Sequence, residues 1–298
     1  MCSETASASF DRLIEDLALP ADFAALPWYR RIAAEIVRRA RADEKPLLIG
    51  LCGSQGSGKS TMAAFLRALL DTQGFPTAVL SIDDLYLDKP ERVALAAAVH
   101  PLLGTRGVPG THDLALGNEV IDALFSATPG AATAIPRFDK ASDSRLPREQ
   151  WDRFVGPARI VILEGWCVGA EPEGAAALAT PINTLEAQED PDGRWRAYVD
   201  AALAGPYHAL FDRIDLLVFL HAPSFDCVFE WRRLQEEKLR AKTGGSGAGL
   251  MDDAALSRFI MHYERITRHL LDTMPATADL VVALDADHRI TQLDRAAA

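Results

Sequence analysis

The stretch PLLIGLCGSQGSGKST, residues 46–61, decides how the rest of the chain is read. Its first seven residues are almost wholly apolar, as a strand buried on both faces should be. Gly53 to Ser60 then fits the pattern GxxxxGK[ST], and the residues from 61 to 72 repeat apolar side chains at helical spacing. Glycines let the backbone curl so that successive N–H groups converge on an anion, and the helix that follows adds its positive end. Gly53, Ser54, Gln55, Gly56, Ser57, Gly58, Lys59, Ser60 and Thr61 therefore form the expected cradle for a nucleotide phosphate. Lys59 should reach the β- and γ-phosphates, and the Ser60 hydroxyl should sit on Mg²⁺. A chance Gly/Ser turn would not carry a buried strand on one side and a helix on the other.

Working outward, four more apolar runs follow: TAVLSI (77–82), RIVIL (159–163), IDLLVFL (214–220) and ADLVVAL (278–284). Helical patterns lie between them at 61–72, 89–100, 113–126, 226–240 and 252–273. The alternation predicts an α/β fold of the P-loop NTPase kind, a parallel sheet with helices on both faces. A weaker strand at 132–138 contains Pro136 and so belongs at an edge or a strand end. Two stretches break the alternation: a long helical insertion at 168–213, and TGGSGAG at 243–249, a linker between helices. The length of 298 residues alone would allow two domains. The pattern instead predicts one core over 46–285 that includes the insertion and a lid at 232–250. A helical extension precedes it (1–45) and a C-terminal tail follows (286–298).

Composition narrows the partners. There are 31 Lys and Arg against 42 Asp and Glu, a net charge of −11. That balance disfavours nucleic acid or an anionic membrane surface as the main partner, since both select a basic face. No apolar run approaches the roughly 20 residues of a membrane span. The N-terminus, MCSETASASFDRLIEDL, lacks the basic-then-apolar order of a signal peptide, and its acidic residues fit a transit peptide poorly. The four cysteines, at 2, 52, 167 and 227, form no CxxC pair. Reduced thiols in the cytoplasm are the expectation.

A phosphate loop does not say what becomes of the nucleotide. GTP-binding switches carry NKxD, but the only asparagines are Asn118 and Asn183, and neither fits. The LSGGQ signature of transporter ATPases is missing as well. Small-molecule kinases and assorted ATPases remain. In a doubly wound sheet, ligands gather at the carboxyl ends of strands. Asp83 and Asp84 follow one strand, and Glu164 follows another. Phosphoryl transfer needs a carboxylate to orient or deprotonate the acceptor hydroxyl, and another on the metal side. Asp83 or Asp84 suits the first task; Glu164, with Ser60, suits the second. Capping of the next turn is the plainer alternative for the aspartates. The segment WRRLQEEKLRAK (231–242) has five cations and two anions, and it runs into the glycine-rich linker. Its cations, Arg240 among them, are candidates to close over the phosphates; a solvated face with i,i+4 pairs is the alternative.

With these residues assembled, the chain resembles the P-loop kinase family that includes uridine kinase, pantothenate kinase and phosphoribulokinase. Within it, the chain is most similar to D-glycerate 3-kinase and its bacterial and fungal kinase-like relatives. The likeness is carried by GSQGSGKST (53–61), SIDDLYL (81–87), HPLLGTRGVPGTHD (100–113), IPRFDKASDSRLP (135–147) and LEGWCVGA (163–170). PINTLEAQEDPDGRWRAYV (181–199), LQEEKLRAKTG (234–244) and HYERITRHLL (262–271) continue it. The resemblance implies transfer of the ATP γ-phosphoryl group to D-glycerate, giving 3-phosphoglycerate, with Asp83 at the position of the family's base. Glycerate is a small anion and needs cations, for which Arg106, His112, Arg137, Lys140 and Arg145 are the candidates. Arg137 and Lys140, flanking Phe138 and Asp139, are favoured for its carboxylate. Asp113 also reads as a helix cap. In the last long helix, Arg258, His262, Arg265 and His269 form a polar stripe that reads as a solvated face. A kinase for a nucleoside, pantothenate or a sugar phosphate, and a non-catalytic ATP-binding regulator, remain open alternatives.

Overall fold

The computed structural model describes residues 13–17, 24–242 and 252–295, without the side chains of residues 235, 236 and 238–242. Helix α1 (Leu26–Ala42) precedes strand β1 (Leu47–Gly53), helix α2 (Lys59–Thr72) and strand β2 (Thr77–Ser81). Helices α3 (Lys89–Ala98) and α4 (Leu114–Ser126) lead to four short strands, β3 (Ala132–Ile135), β4 (Phe138–Asp139), β5 (Ser144–Arg145) and β6 (Asp152–Val155). Strand β7 (Ile160–Gly165) opens into the insertion, which contains α5 (Thr184–Glu189) and α6 (Arg194–Ala202), and strand β8 (Leu216–His221) follows it. Helices α7 (Phe225–Lys242) and α8 (Asp253–Thr273) and strands β9 (Leu280–Leu284) and β10 (Ile290–Arg295) come last.

The main sheet runs in the order β10-β9-β8-β1-β7-β2. All neighbours are parallel except β10, which pairs antiparallel with β9. From β1 the chain passes to β2 and returns as β7 between them, then crosses to the other side of β1 as β8. That reversal around β1 opens a crevice at the carboxyl ends of the strands. Every residue of β1 is buried. Leu47, Ile49 and Leu51 enter a core shared with Ile32 and Ile36 of α1 and Phe65 of α2. Leu48 and Cys52 enter the opposite core, with Ile121 of α4 and Tyr263 of α8. Each such aliphatic side chain contributes about 1.5–3 kcal/mol on burial, which is why the strands read as continuous apolar runs. Helix α1 is locked at its C-terminal end by the Arg159 guanidinium, which donates to Ala40 O at 2.7 Å and to Asp43 O and Lys45 O.

Three expectations change. Residues 286–298 are not a simple tail, because 290–295 add the antiparallel edge strand, and Arg295 pairs with buried Glu35 of α1 at 2.5 Å. The strand containing 132–135 ends before Pro136 and pairs with β6 in a separate ribbon, outside the main sheet. The polar stripe of α8 is not a solvated face throughout. His262 is 3% exposed and Arg265 is 7% exposed, both covered by the insertion. Arg265 grips Glu186 through two hydrogen bonds of 2.8 and 2.6 Å and donates to Thr180 O at 2.8 Å. Arg258, by contrast, pairs with Glu189 at the surface. Breaking a buried pair strands a charge. Arg265→Ala is therefore expected to lower the unfolding free energy by about 3–5 kcal/mol in urea titrations; a loss below about 1 kcal/mol, the scale of a surface pair, would show that the insertion does not depend on it.

Candidate active site

Between the end of β1 and the start of α2, residues 54–58 turn back on themselves. Gly56 and Gly58 take φ of 82° and 88°, a region that side chains disfavour. Gly56 is required by space too, since a Cβ there would lie 2.8 Å from the Cβ of Trp231 on α7. Met62 is the first to donate back along the helix, to Gly58 O at 2.9 Å. The N–H groups of Lys59, Ser60 and Thr61 thus have no helical acceptor, and no side chain caps them. The Ser54 and Ser57 hydroxyls are also buried with no hydrogen-bond partner among the described residues. A phosphate is what such a ring of unpaired donors would satisfy.

Strand β7 lies beside β1 and sets Glu164 next to the loop. Ser60 Oγ donates to Glu164 Oε1 at 3.0 Å, and Glu164 Oε2 is buried without a partner among the described residues. A hydroxyl and a carboxylate with one orphaned anionic oxygen make a hard oxygen donor set that suits Mg²⁺.

Strand β2 delivers the two aspartates on a single tight turn (Ile82–Leu85), and they face different tasks. Asp83 Oδ1 accepts from the Tyr86 hydroxyl and Oδ2 from the Lys140 ammonium, both at 2.6 Å. Burial pushes its carboxyl up, but Lys140 and Lys59, with these hydrogen bonds, outweigh that and hold it at about 2. Asp84 accepts from Phe138 N at 2.9 Å and pairs with Arg137 at 2.5 Å. Burial raises its carboxyl despite those partners. It is a strut for the segment 135–147.

The expected substrate cations gather around these aspartates, but most are already engaged. Arg137 spans Asp84 and Asp152, the latter at 2.6 Å, so its fork is filled and it does not present a free carboxylate site. Arg106 pairs with Asp143 at 2.5 Å and lies over the Phe138 ring. Arg145 meets Asp113 at 3.3 Å and donates to Tyr86 O at 3.2 Å. Lys140 is the accessible one, with its side chain 59% exposed. His112 is not a cation: burial drives its imidazole down to about 4 although Asp83 pulls the other way. Asp113 does cap α4, accepting from Leu116 N at 3.0 Å.

Comparison with known proteins places the chain among kinases. The chain is 32% identical over 247 residues to the uncharacterized kinase mug58 of Schizosaccharomyces pombe, a match covering 78% of this chain and 84% of that one. It is 30% identical over 258 residues to the chloroplastic D-glycerate 3-kinase of Arabidopsis thaliana, covering 82% of this chain and 53% of that one. The chain belongs to this family of P-loop kinases. The kinase also shares its fold with the D-glycerate 3-kinase of Cryptococcus neoformans, at a TM-score of 0.70 and 24% identity, covering 91% of this chain and 99% of that one. No family model matches it.

Two parts of the kinase site need separate mention. The proximal half of α7 seals the phosphate loop, with Trp231 against Gly56 and its indole donating to Ala286 O at 2.8 Å. Arg233 pairs along the helix with Glu230 and Glu237, as the solvated-face alternative expects. The Arg240 side chain and the TGGSGAG linker lie outside the described residues. The second part is a group of residues that the sequence reading passed over. Tyr86 stands three residues beyond Asp83, a spacing that returns its hydroxyl to the carboxylate in a tight turn. Asp143, at φ 56°, ties Arg106 to the buried Arg92 at 2.6 Å, and so clamps the 139–145 turn onto the loop after α3. No local pattern announces that contact. Among the described residues no helix is long and apolar enough to cross a membrane.

Proposed function

We propose that this kinase transfers the γ-phosphoryl group of ATP to a hydroxyl of D-glycerate, forming 3-phosphoglycerate and ADP, with Mg²⁺ as the metal. The observation that carries the reading is the exposed Lys140 ammonium seated on Asp83, beside the phosphate cradle. An incoming carboxylate competes for Lys140 and at the same time releases Asp83 to the hydroxyl of the same small molecule. The kinship to a D-glycerate 3-kinase names the acid. The free thiols of Cys52, Cys167 and Cys227 suit a reducing cytoplasm, where we place the protein.

In this reading the loop 53–61 binds the triphosphate through its backbone N–H groups and Lys59. Ser60 and Glu164 would hold Mg²⁺, which when bound would neutralise charge on the phosphates. Asp83 orients the acceptor O–H and takes its proton as the oxygen bonds to the γ-phosphorus. The bond from phosphorus to the β–γ bridging oxygen breaks and ADP leaves. A carboxylate held near 2 is a weak base, but a loose phosphoryl transition state asks mainly for alignment. Withdrawal of Lys140 toward the substrate also removes the cation that depresses Asp83 most. A cation from 232–242, Arg240 among them, would fold over the phosphates.

ADP release with a panel of D-glycerate, L-glycerate, uridine, pantothenate and ribulose 5-phosphate tests this, with the product assigned by NMR. D-glycerate is expected to give kcat/KM at least about 10²-fold above the others, and the 3-phosphate as product. A better acceptor elsewhere in the panel overturns the substrate; tight ATP binding with no acceptor-dependent ADP overturns the kinase step in favour of a regulator.

A further inference from the structure

Tyr207 ends a wide, π-type turn (Leu203–Tyr207) at Pro206 of the insertion. Such turns often re-aim a side chain at a functional site. Tyr207 is 1% exposed, and its hydroxyl meets the 105–113 loop that the insertion covers. Gly110 N donates to the phenol oxygen at 2.9 Å. His112 Nδ1 lies 2.5 Å from it. If Nδ1 carried the hydrogen, the phenol hydrogen would have no acceptor among the described residues, although Tyr207 is buried. The phenol hydrogen and the Nδ1 lone pair are both used only when the Tyr207 O–H donates to Nδ1. Burial holds the phenol well above its ordinary value and the imidazole down to about 4, so neither changes state near neutral pH.

The hydrogen of a neutral imidazole then sits on Nε2. That atom is buried with no hydrogen-bond partner among the described residues, in a side chain belonging to a residue only 6% exposed. An orphaned buried donor is costly unless something occupies it. His112 lines a groove of about 540 Å³ with Leu87, Asp113, Tyr198 and Tyr207. Its ring lies 4.9 Å from the ring of Tyr86, the residue that holds Asp83.

We propose that Tyr207 is a positioning residue that fixes His112 as an uncharged Nε2–H donor to an oxygen of the phosphoryl acceptor. The insertion thereby takes part in acceptor selection. A fixed neutral donor favours an oxygen lone pair, of a carboxylate or a hydroxyl, and rejects an ammonium group at the same place. The inference rests on the kinase reading for the identity of its ligand as acceptor, but not on that acceptor being glycerate.

The test has a readout that needs no substrate. Long-range ¹H–¹⁵N spectra of the full-length protein at pH 7 are expected to show His112 neutral and Nε2-protonated. In Tyr207→Phe the ring should relax to a mixture of tautomers. In ADP-release assays, with whichever acceptor the parent turns over, Tyr207→Phe and His112→Leu should raise the acceptor KM about tenfold and leave the ATP KM unchanged. His112→Gln keeps a terminal N–H donor and should stay within about threefold of the parent. An Nδ1-protonated or charged His112 in the parent overturns the relay. Parental acceptor KM in His112→Leu, or equal losses in His112→Gln and His112→Leu, overturn the donor role. If Tyr207→Phe fails to fold, the parental tautomer and the two His112 variants still decide. A panel negative for D-glycerate defeats the substrate reading alone, because the tautomer is read without any acceptor.

Discussion

Lys59→Ala is expected to lower kcat by at least about 10²–10³-fold and to leave the fold intact. Lys59 is the first residue of α2, where alanine is a good helix former, so the substitution removes a cation and leaves the backbone cradle in place. Among the described residues Lys59 has no salt-bridge partner, which leaves its ammonium available to the phosphates that the curled loop collects. Charge builds on the migrating group and its bridging oxygen, and a fixed ammonium stabilises it without reorganisation. The variant also tests a coupling. Lys59 is one of the cations that hold Asp83 near 2, so in the variant the Asp83 carboxyl should move up and the acid limb of the pH profile should shift to higher pH. Steady-state ADP release across pH, with circular dichroism to confirm folding, reads both effects. A kcat within tenfold of the parent would exclude Lys59 from the transfer step.

The layout of the candidate site was legible in the sequence where its logic is local. A strand buried on both faces must be apolar throughout, and a loop that turns N–H groups inward must carry glycines, so β1 through α2 could be read directly. Asp83 and Glu164 followed from their position after strands that neighbour the loop. What stayed hidden depends on contacts made far along the chain. Arg265 looks like a surface residue of α8 until Glu186, 79 positions earlier, folds over it. Asp84 and Arg137 looked like separate active groups, yet each largely occupies the other across 53 positions. Strand β10 is an edge, with one polar face and little apolar content, so ITQLDR read as a tail. His112 read as a cation because its type suggests one; only burial beside Tyr207 shows that it is neutral.

Asp83→Asn is expected to keep ATP binding and to lower kcat by about 10²–10⁴-fold. The two side chains have the same shape. An asparagine oxygen can still accept from the Tyr86 hydroxyl, so the turn that carries residue 83 should hold. The amide cannot take a proton, and it cannot attract Lys140, which then rests free over the crevice. Calorimetry should therefore give an ATP Kd within about threefold of the parent, while turnover falls. Acid stability supplies an independent sign. The carboxyl of Asp83 is held at about 2 against an ordinary value of 3.8, so its ionised form favours the folded state above about pH 3.8. That contribution is lost as pH falls through about 2, so the parent should lose more stability than the variant between those values. Asp84→Asn makes the contrast, since Asp84 is engaged by Phe138 N and Arg137 and its loss should loosen the 135–147 segment. Parental kcat in Asp83→Asn would remove Asp83 from proton transfer, and the same loss in both variants would mean that shape around the turn, not the charge at residue 83, governs the rate.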